Sequence, residues 1–165
     1  MTFPADILQQ AATVLAAAKA QGLRLATAES CTGGLVAGAL TEIAGSSDVV
    51  ECGFITYANE AKTEMIGVPA ALISEVGAVS EEVARAMAEG ALTHAPVDLT
   101  IAITGIAGPD GGSPSKPVGL VHFACSRRGR ATVHERHLFP GNRSDVRLAA
   151  VRVALALLDA GTRQA

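Results

Sequence analysis

Ile7, Leu8, Ala11, Ala12, Leu15 and Ala18 recur every three or four positions, the spacing that gathers side chains on one face of an α-helix. Gly22 follows as a stop, so residues 5 to 21 are predicted to be an amphipathic helix. Arg24 to Glu29 then reads as a strand, Gly33 to Ile43 as a second helix closed by Gly45, and Val50 to Ala58, carrying Phe54, Ile55 and Tyr57, as another strand. Asn59 is placed to cap a short helix. Further along, Ser80 precedes Glu81 and Glu82, acids that suit the positive end of a helix, and Val83, Met87 and Ala91 mark its buried face as far as Ala95 and Pro96. Leu99 to Thr104 is a short, mostly apolar run of the kind expected of a strand covered on both faces. It opens into a glycine-rich loop, residues 105 to 117. Leu120 to Cys125 and Ala131 to Leu138 flank turn residues around Gly129 and predict a β-hairpin. Val146, Ala149, Ala150, Val153 and Leu157 mark a last helix, with Asn142 or Ser144 as its cap.

Strands alternating with helices and ending in a hairpin predict an α/β layered sandwich with a mixed, mainly parallel sheet. The 165 residues suit one domain, residues 1 to 165, with no internal repeat or linker. With no Trp and one Tyr, its core must be built from small aliphatic side chains. A net charge of -3 argues against a nucleic-acid partner, and it requires any anionic ligand to be held by local positive groups. Cys31, Cys52 and Cys125 are odd in number and lack a C-x-x-C spacing, so neither a disulfide framework nor a metal site is expected, and a reducing cytoplasm fits best. No run approaches the roughly 18 apolar residues of a membrane helix, and the N-terminus has no signal-like basic and apolar blocks, so no membrane partner is expected.

Four segments carry candidate chemistry. Thr27 to Gly34, TAESCTGG, places the hydroxyl of Ser30 and the thiol of Cys31 at a strand-to-helix turn. Backbone N–H groups around Thr32, Gly33 and Gly34 could there meet an oxyanion or a phosphate, and the plain alternative is a capping hydroxyl beside packing glycines. The segment has neither the G-x-S-x-G spacing of a nucleophile elbow nor the GK[ST] ending of a P-loop. Ile55 to Lys62, ITYANEAK, brings Tyr57 and Lys62. A lysine with a lowered pKa can act as the base for a serine, whereas a solvated helix lysine is its ordinary role. None of His94, His122, His134 and His137 sits at a strand-to-loop junction with an acidic partner, and His134 and His137, three apart on a strand, point to opposite faces. Ile103 to Gly112, ITGIAGPDGG, leaves a buried strand at the end where α/β sheets bind ligands, so Thr104, Gly105 and Gly108 are candidates to line a pocket. Phe139 to Arg147, FPGNRSDVR, sets Arg143 beside a helix start, where it can clamp a phosphate.

Taken together, TAESCTGG, ITYANEAK, ITGIAGPDGG, the Lys116-Pro117-Val118-Gly119 run and PGNR resemble, in order and over nearly the whole chain, the nicotinamide-nucleotide amidase family, the C-terminal domain of the CinA proteins. The resemblance implies a three-layer α/β/α sandwich in stand-alone form and hydrolysis of nicotinamide mononucleotide to nicotinate mononucleotide and ammonia. It further implies Ser30 as nucleophile, Lys62 and Tyr57 beside it, and Thr104 and Arg143 in the substrate site, with no metal or organic cofactor. The expected partner is a small-molecule nucleotide, and a homo-oligomer is compatible with the sequence. Two readings compete: a non-catalytic nucleotide- or phosphate-binding module in which Ser30 is only a cap, and an amidase whose nucleophile is Cys31, since thiolates are favoured at helix N-termini.

Overall fold

The computed structural model describes residues 3–163. Its sheet has five strands in the order β2-β1-β3-β4-β5. β1 (Leu25–Glu29) lies between β2 (Val50–Ile55) and β3 (Leu99–Gly105), parallel to both. β4 (Leu120–Arg127) runs antiparallel to β3, and β5 (Val133–Leu138) turns back along its outer edge. Only β4 therefore opposes the common strand direction, and the mixed sheet with its hairpin is the one the periodicity predicts.

Helices cover both faces. On one, α1 (Ala5–Ala20), α2 (Leu35–Thr41) and α6 (Arg143–Arg163) pack Ile7, Leu40, Val151 and Leu155 against Leu99, Ile101 and Ile103. On the other, α3 (Asn59–Ile66), α4 (Ala70–Val76) and α5 (Glu81–His94) pack Ile66, Ile73 and Met87 against Ala28, Ala102 and Ala124. The small residues on this second face admit α5 close to the sheet, and Gly90 does the same toward α3: a Cβ there would collide with the Ile66 carbonyl oxygen. Among the described residues no helix is long and apolar enough to cross a membrane.

Local signals hold at most boundaries and fail at a few. Ser80 caps α5 as predicted, its hydroxyl accepting from the Val83 N–H at 3.3 Å. At α6 the cap is Asn142 rather than Ser144: its side-chain oxygen accepts from the Ser144 and Asp145 N–H groups at 2.8 and 3.1 Å. Asn59 is not a cap, because Ala58 takes that position without a side-chain bond and Asn59 is already helical. The seven-residue α4 was not predicted; with Ile73 its one buried residue, it carries no periodic apolar stripe.

The three parallel strands end on the same side of the sheet. Their ends deliver Ser30, Thr56 with Tyr57, and Gly105 to one edge of the molecule.

Candidate active site

Ser30 directly follows β1, and its N–H donates to the Ile103 carbonyl at 2.9 Å, so the nucleophile candidate is tied to the neighbouring strand. The chain then reverses through Gly33 and Gly34, with φ of +56° and +98°, a region that side chains rarely adopt. Lys62 reaches Ser30 from α3. It is only 1 % exposed, and its Nζ lies 3.1 Å from Ser30 Oγ, 2.8 Å from the Thr56 carbonyl and 3.3 Å from the Tyr57 carbonyl. Thr56 is itself pinned, its N–H donating to the Glu29 carbonyl at 2.8 Å.

Burial lowers the Lys62 pKa from its ordinary 10.5, against smaller opposing pulls from Cys31 and Glu60. Burial, rather than a neighbouring cation, supplies the shift. A neutral amine has two N–H donors and one lone pair. In that neutral form the two carbonyls would take the donors and leave the lone pair for the Ser30 hydroxyl proton.

The neighbouring thiol is unsuited to the same task. Cys31 is buried, and that burial pushes its pKa up to about 12, so it stays protonated near neutrality. None of the four histidines lines the pocket that holds Ser30. His122 bonds His134 instead, ring nitrogens 2.9 Å apart, and its pKa is lowered to about 4, chiefly by burial. His137 stacks on Phe139, on the opposite face from His134 as their spacing predicts.

The pocket encloses about 270 Å³ and is lined by Ser30, Cys31, Tyr57, Lys62, Thr104, Gly105 and Arg143, among others. Thr104 forms its floor: the hydroxyl, 1 % exposed with its residue, donates to the Ala78 carbonyl at 2.8 Å and holds the linker before α5 against the sheet. Gly105 leaves no room for a side chain, since a Cβ would meet Val121 at 2.7 Å and the Leu120 carbonyl at 2.8 Å. Arg143, exposed at the start of α6, donates to the Gly108 carbonyl at 2.9 Å and to the Tyr57 hydroxyl at 3.0 Å, which closes one side of the mouth.

Residues 8–161 match the family model of the CinA C-terminal domain. The chain belongs to that family. A "CinA-like protein" of Akkermansia muciniphila is 52% identical over 145 residues, 87% of this chain and 35% of that protein, so the chain spans about a third of such relatives. The "Nicotinamide-nucleotide amidohydrolase PncC" of Escherichia coli K12 is 49% identical over 153 residues, 93% of each chain. Among solved structures, the competence/damage inducible protein CihA from Agrobacterium tumefaciens superposes with a TM-score of 0.96 at 48% identity, covering 99% of both chains.

In this CinA C-terminal domain the motif residues do not all meet the pocket. Thr32, Gly33 and Gly34 lie outside its lining. The Gly33 N–H is spent on the Ser30 carbonyl at 3.0 Å. Further into the α2 N-terminus the donors are taken: the fully buried Glu29 side chain accepts from the Val36 and Ala37 N–H groups at 2.9 and 3.0 Å and from the Thr27 hydroxyl at 3.0 Å. Among the described residues the N–H groups of Cys31, Thr32 and Gly34 donate to nothing. Tyr57 touches Lys62 through its backbone carbonyl, while its 59 % exposed side chain goes to Arg143. Asn59 and Asp110 also line the pocket. Sequence reasoning gave them no role there, and no local signal marks them. Among the described residues no group of three or more His, Cys, Asp or Glu is placed to hold a metal ion.

Proposed function

We propose that this chain hydrolyses the carboxamide of nicotinamide mononucleotide to nicotinate mononucleotide and ammonia, with Ser30 as nucleophile and Lys62 as base. The observation that carries the chemistry is the buried Lys62 amine, its pKa lowered, 3.1 Å from the Ser30 hydroxyl at the wall of a pocket. The substrate class is supported by the name of the Escherichia coli relative and its match over 93% of both chains.

Neutral Lys62 takes the hydroxyl proton as Oγ attacks the carboxamide carbon. The oxyanion that forms is met by backbone N–H groups of the turn after Ser30. As the C–N bond breaks, the Lys62 ammonium returns the proton to the leaving nitrogen, which departs as ammonia. Water, deprotonated by the same amine, then attacks the Ser30 ester, and the Lys62 ammonium returns the proton to Oγ as the C–O bond breaks and the acid leaves. Tyr57 and Thr56 hold Lys62 in line through their carbonyls. Arg143, whose guanidinium is bonded among the described residues only to neutral oxygens, is free to take the substrate phosphate at the pocket mouth. Lys62 supplies both base and acid, so the route calls for neither a metal ion nor an organic cofactor.

The test is ammonia release from nicotinamide mononucleotide by the purified chain in the presence of a chelator, with Ser30→Ala as the control. Stoichiometric ammonia that disappears in Ser30→Ala supports the reading. Binding without turnover supports the non-catalytic module, and activity that requires added metal refutes this mechanism.

A further inference from the structure

The pocket that holds Ser30 has a buried end and an exposed end. Lys62 and Thr104, each 1 % exposed, stand at the first, and Tyr57, Asp110 and Arg143, all exposed, stand at the second. Among the described residues Asp110 is the one acid that lines the pocket, and its carboxylate makes no hydrogen bond or ion pair. The loop that carries it is fixed at several points. Arg143 holds the Gly108 carbonyl at 2.9 Å, the Ser113 N–H donates to the Lys116 carbonyl at 2.8 Å, and the Gly119 N–H donates to the Ile106 carbonyl at 2.8 Å. Lys116 Nζ ties the same loop to the Val76 carbonyl at the end of α4, at 2.6 Å. Gly112 packs so closely that a Cβ there would lie 2.8 Å from the Val118 nitrogen. An unpaired carboxylate is thus presented at the mouth by an ordered segment, so little ordering is left to do when a ligand binds.

A nucleotide whose carboxamide reaches Ser30 leaves its ribose and phosphate toward the exposed end. Arg143 suits the phosphate there, whereas a carboxylate repels it. What a carboxylate can take is the sugar, because two neighbouring hydroxyls donate to its two oxygens at once. We infer that Asp110 holds the vicinal 2′- and 3′-hydroxyls of the ribose and makes the site select ribonucleotides. The inference rests on the amidase reading of the same pocket. The two charges at the mouth then take one part of the substrate each, Arg143 the phosphate and Asp110 the diol, and Lys62 is left to the chemistry.

The experiment measures kcat and KM for ammonia release by wild type, Asp110→Ala and Asp110→Asn on nicotinamide mononucleotide and on its 2′-deoxy and 3′-deoxy forms, with thermal unfolding as the check on the fold. A lost hydrogen bond to a charged group lowers affinity by about 10- to 100-fold, so each deoxy form should raise the wild-type KM in that range. Asp110→Ala should raise KM for nicotinamide mononucleotide at least as far and bring the three substrates together. Its kcat should be nearly unchanged, because the diol does not react and is bound alike before and during the chemical step. Asp110→Asn, which keeps one acceptor oxygen and loses the charge, should lie between. An unchanged KM for nicotinamide mononucleotide in Asp110→Ala overturns the inference, as does a fall in kcat at unchanged KM. Equal rises in KM on all three substrates also overturn it and assign the carboxylate to the pyridinium charge. If wild type releases no ammonia, the amidase reading fails by itself, and calorimetric binding of the same three nucleotides decides on Asp110. A wild-type preference for the intact ribose that is lost in Asp110→Ala then sustains the inference, and equal or absent binding overturns it.

Discussion

Lys62→Met tests the base assignment through stability as well as through rate. Methionine keeps an unbranched, flexible side chain in the space beneath the end of β2 and removes the titrating amine. Burial holds the Lys62 pKa below 10.5 in the folded protein, so between that folded value and 10.5 the unfolded chain binds the extra proton. The stability contribution is therefore complete above 10.5 and is lost as pH falls through the folded value. Inside the window the slope is about 1.4 kcal/mol per pH unit. For a chain of this size about 1 kcal/mol shifts Tm by about 2 to 4 °C, so the slope corresponds to about 3 to 6 °C per pH unit. Lys62→Met lacks it. Cys31 and Cys125, both pushed up to about 12 by burial, act in the opposite sense: their contribution is present below the ordinary thiol value of 9.0 and is lost as pH rises above it. Both proteins carry them, and they cancel in the difference.

Unfolding of wild type and Lys62→Met is followed from about pH 7 to about pH 10.5, the span below the ordinary lysine value. The variant should compare best at the low end and lose ground as pH rises. At the top it should be the weaker protein, because the buried Thr56 carbonyl has lost its donor, a deficit of about 1 to 3 kcal/mol. The pH at which the difference starts to change reports the folded pKa of Lys62. Wild-type kcat/KM should level off at that same pH, because only the neutral amine accepts the Ser30 proton. A difference that stays flat across the whole range shows a lysine of ordinary pKa and refutes the reasoning, whatever the activity of the variant.

Ser30→Ala should remove turnover by several orders of magnitude, while Cys31→Ala, which deletes a thiol held protonated by burial, keeps most of it; steady-state kinetics of the two variants decide, and the reverse result makes this a cysteine enzyme. Arg143→Ala should raise KM for nicotinamide mononucleotide and leave the phosphate-free nucleoside nearly unaffected; equal losses on both substrates assign the arginine to another task. Glu29→Ala strands the Val36 and Ala37 N–H groups, each costing about 1 to 3 kcal/mol, so denaturant unfolding should show a loss of about 2 to 6 kcal/mol. A change below about 1 kcal/mol would mean that water replaces the carboxylate at the helix end.

Periodicity alone located most helices and strands, because residues that face a core repeat at the period of their own element; α1, predicted over residues 5 to 21, runs Ala5–Ala20. The carboxyl ends of β1, β2 and β3 were legible as the edge that carries the candidate site, since glycines, hydroxyls and the one Tyr collect where apolar strands stop. α4 was invisible because an element with one buried residue leaves no periodic trace. Local order also did not show that the Val36 and Ala37 N–H groups at the α2 N-terminus are already taken. The donors there are real, but Glu29 fills them, and only the path of the chain between β1 and α2 decides that its carboxylate arrives before any ligand. Lys62 meets Ser30 across 32 positions, Arg143 meets Tyr57 across 86, and Arg147 meets Cys31 across 116. No sequence period spans such distances. They are set by strand register and by how helices dock on the sheet, and the lowered pKa of Lys62 follows from that docking, because desolvation belongs to the packed neighbourhood and not to the residue.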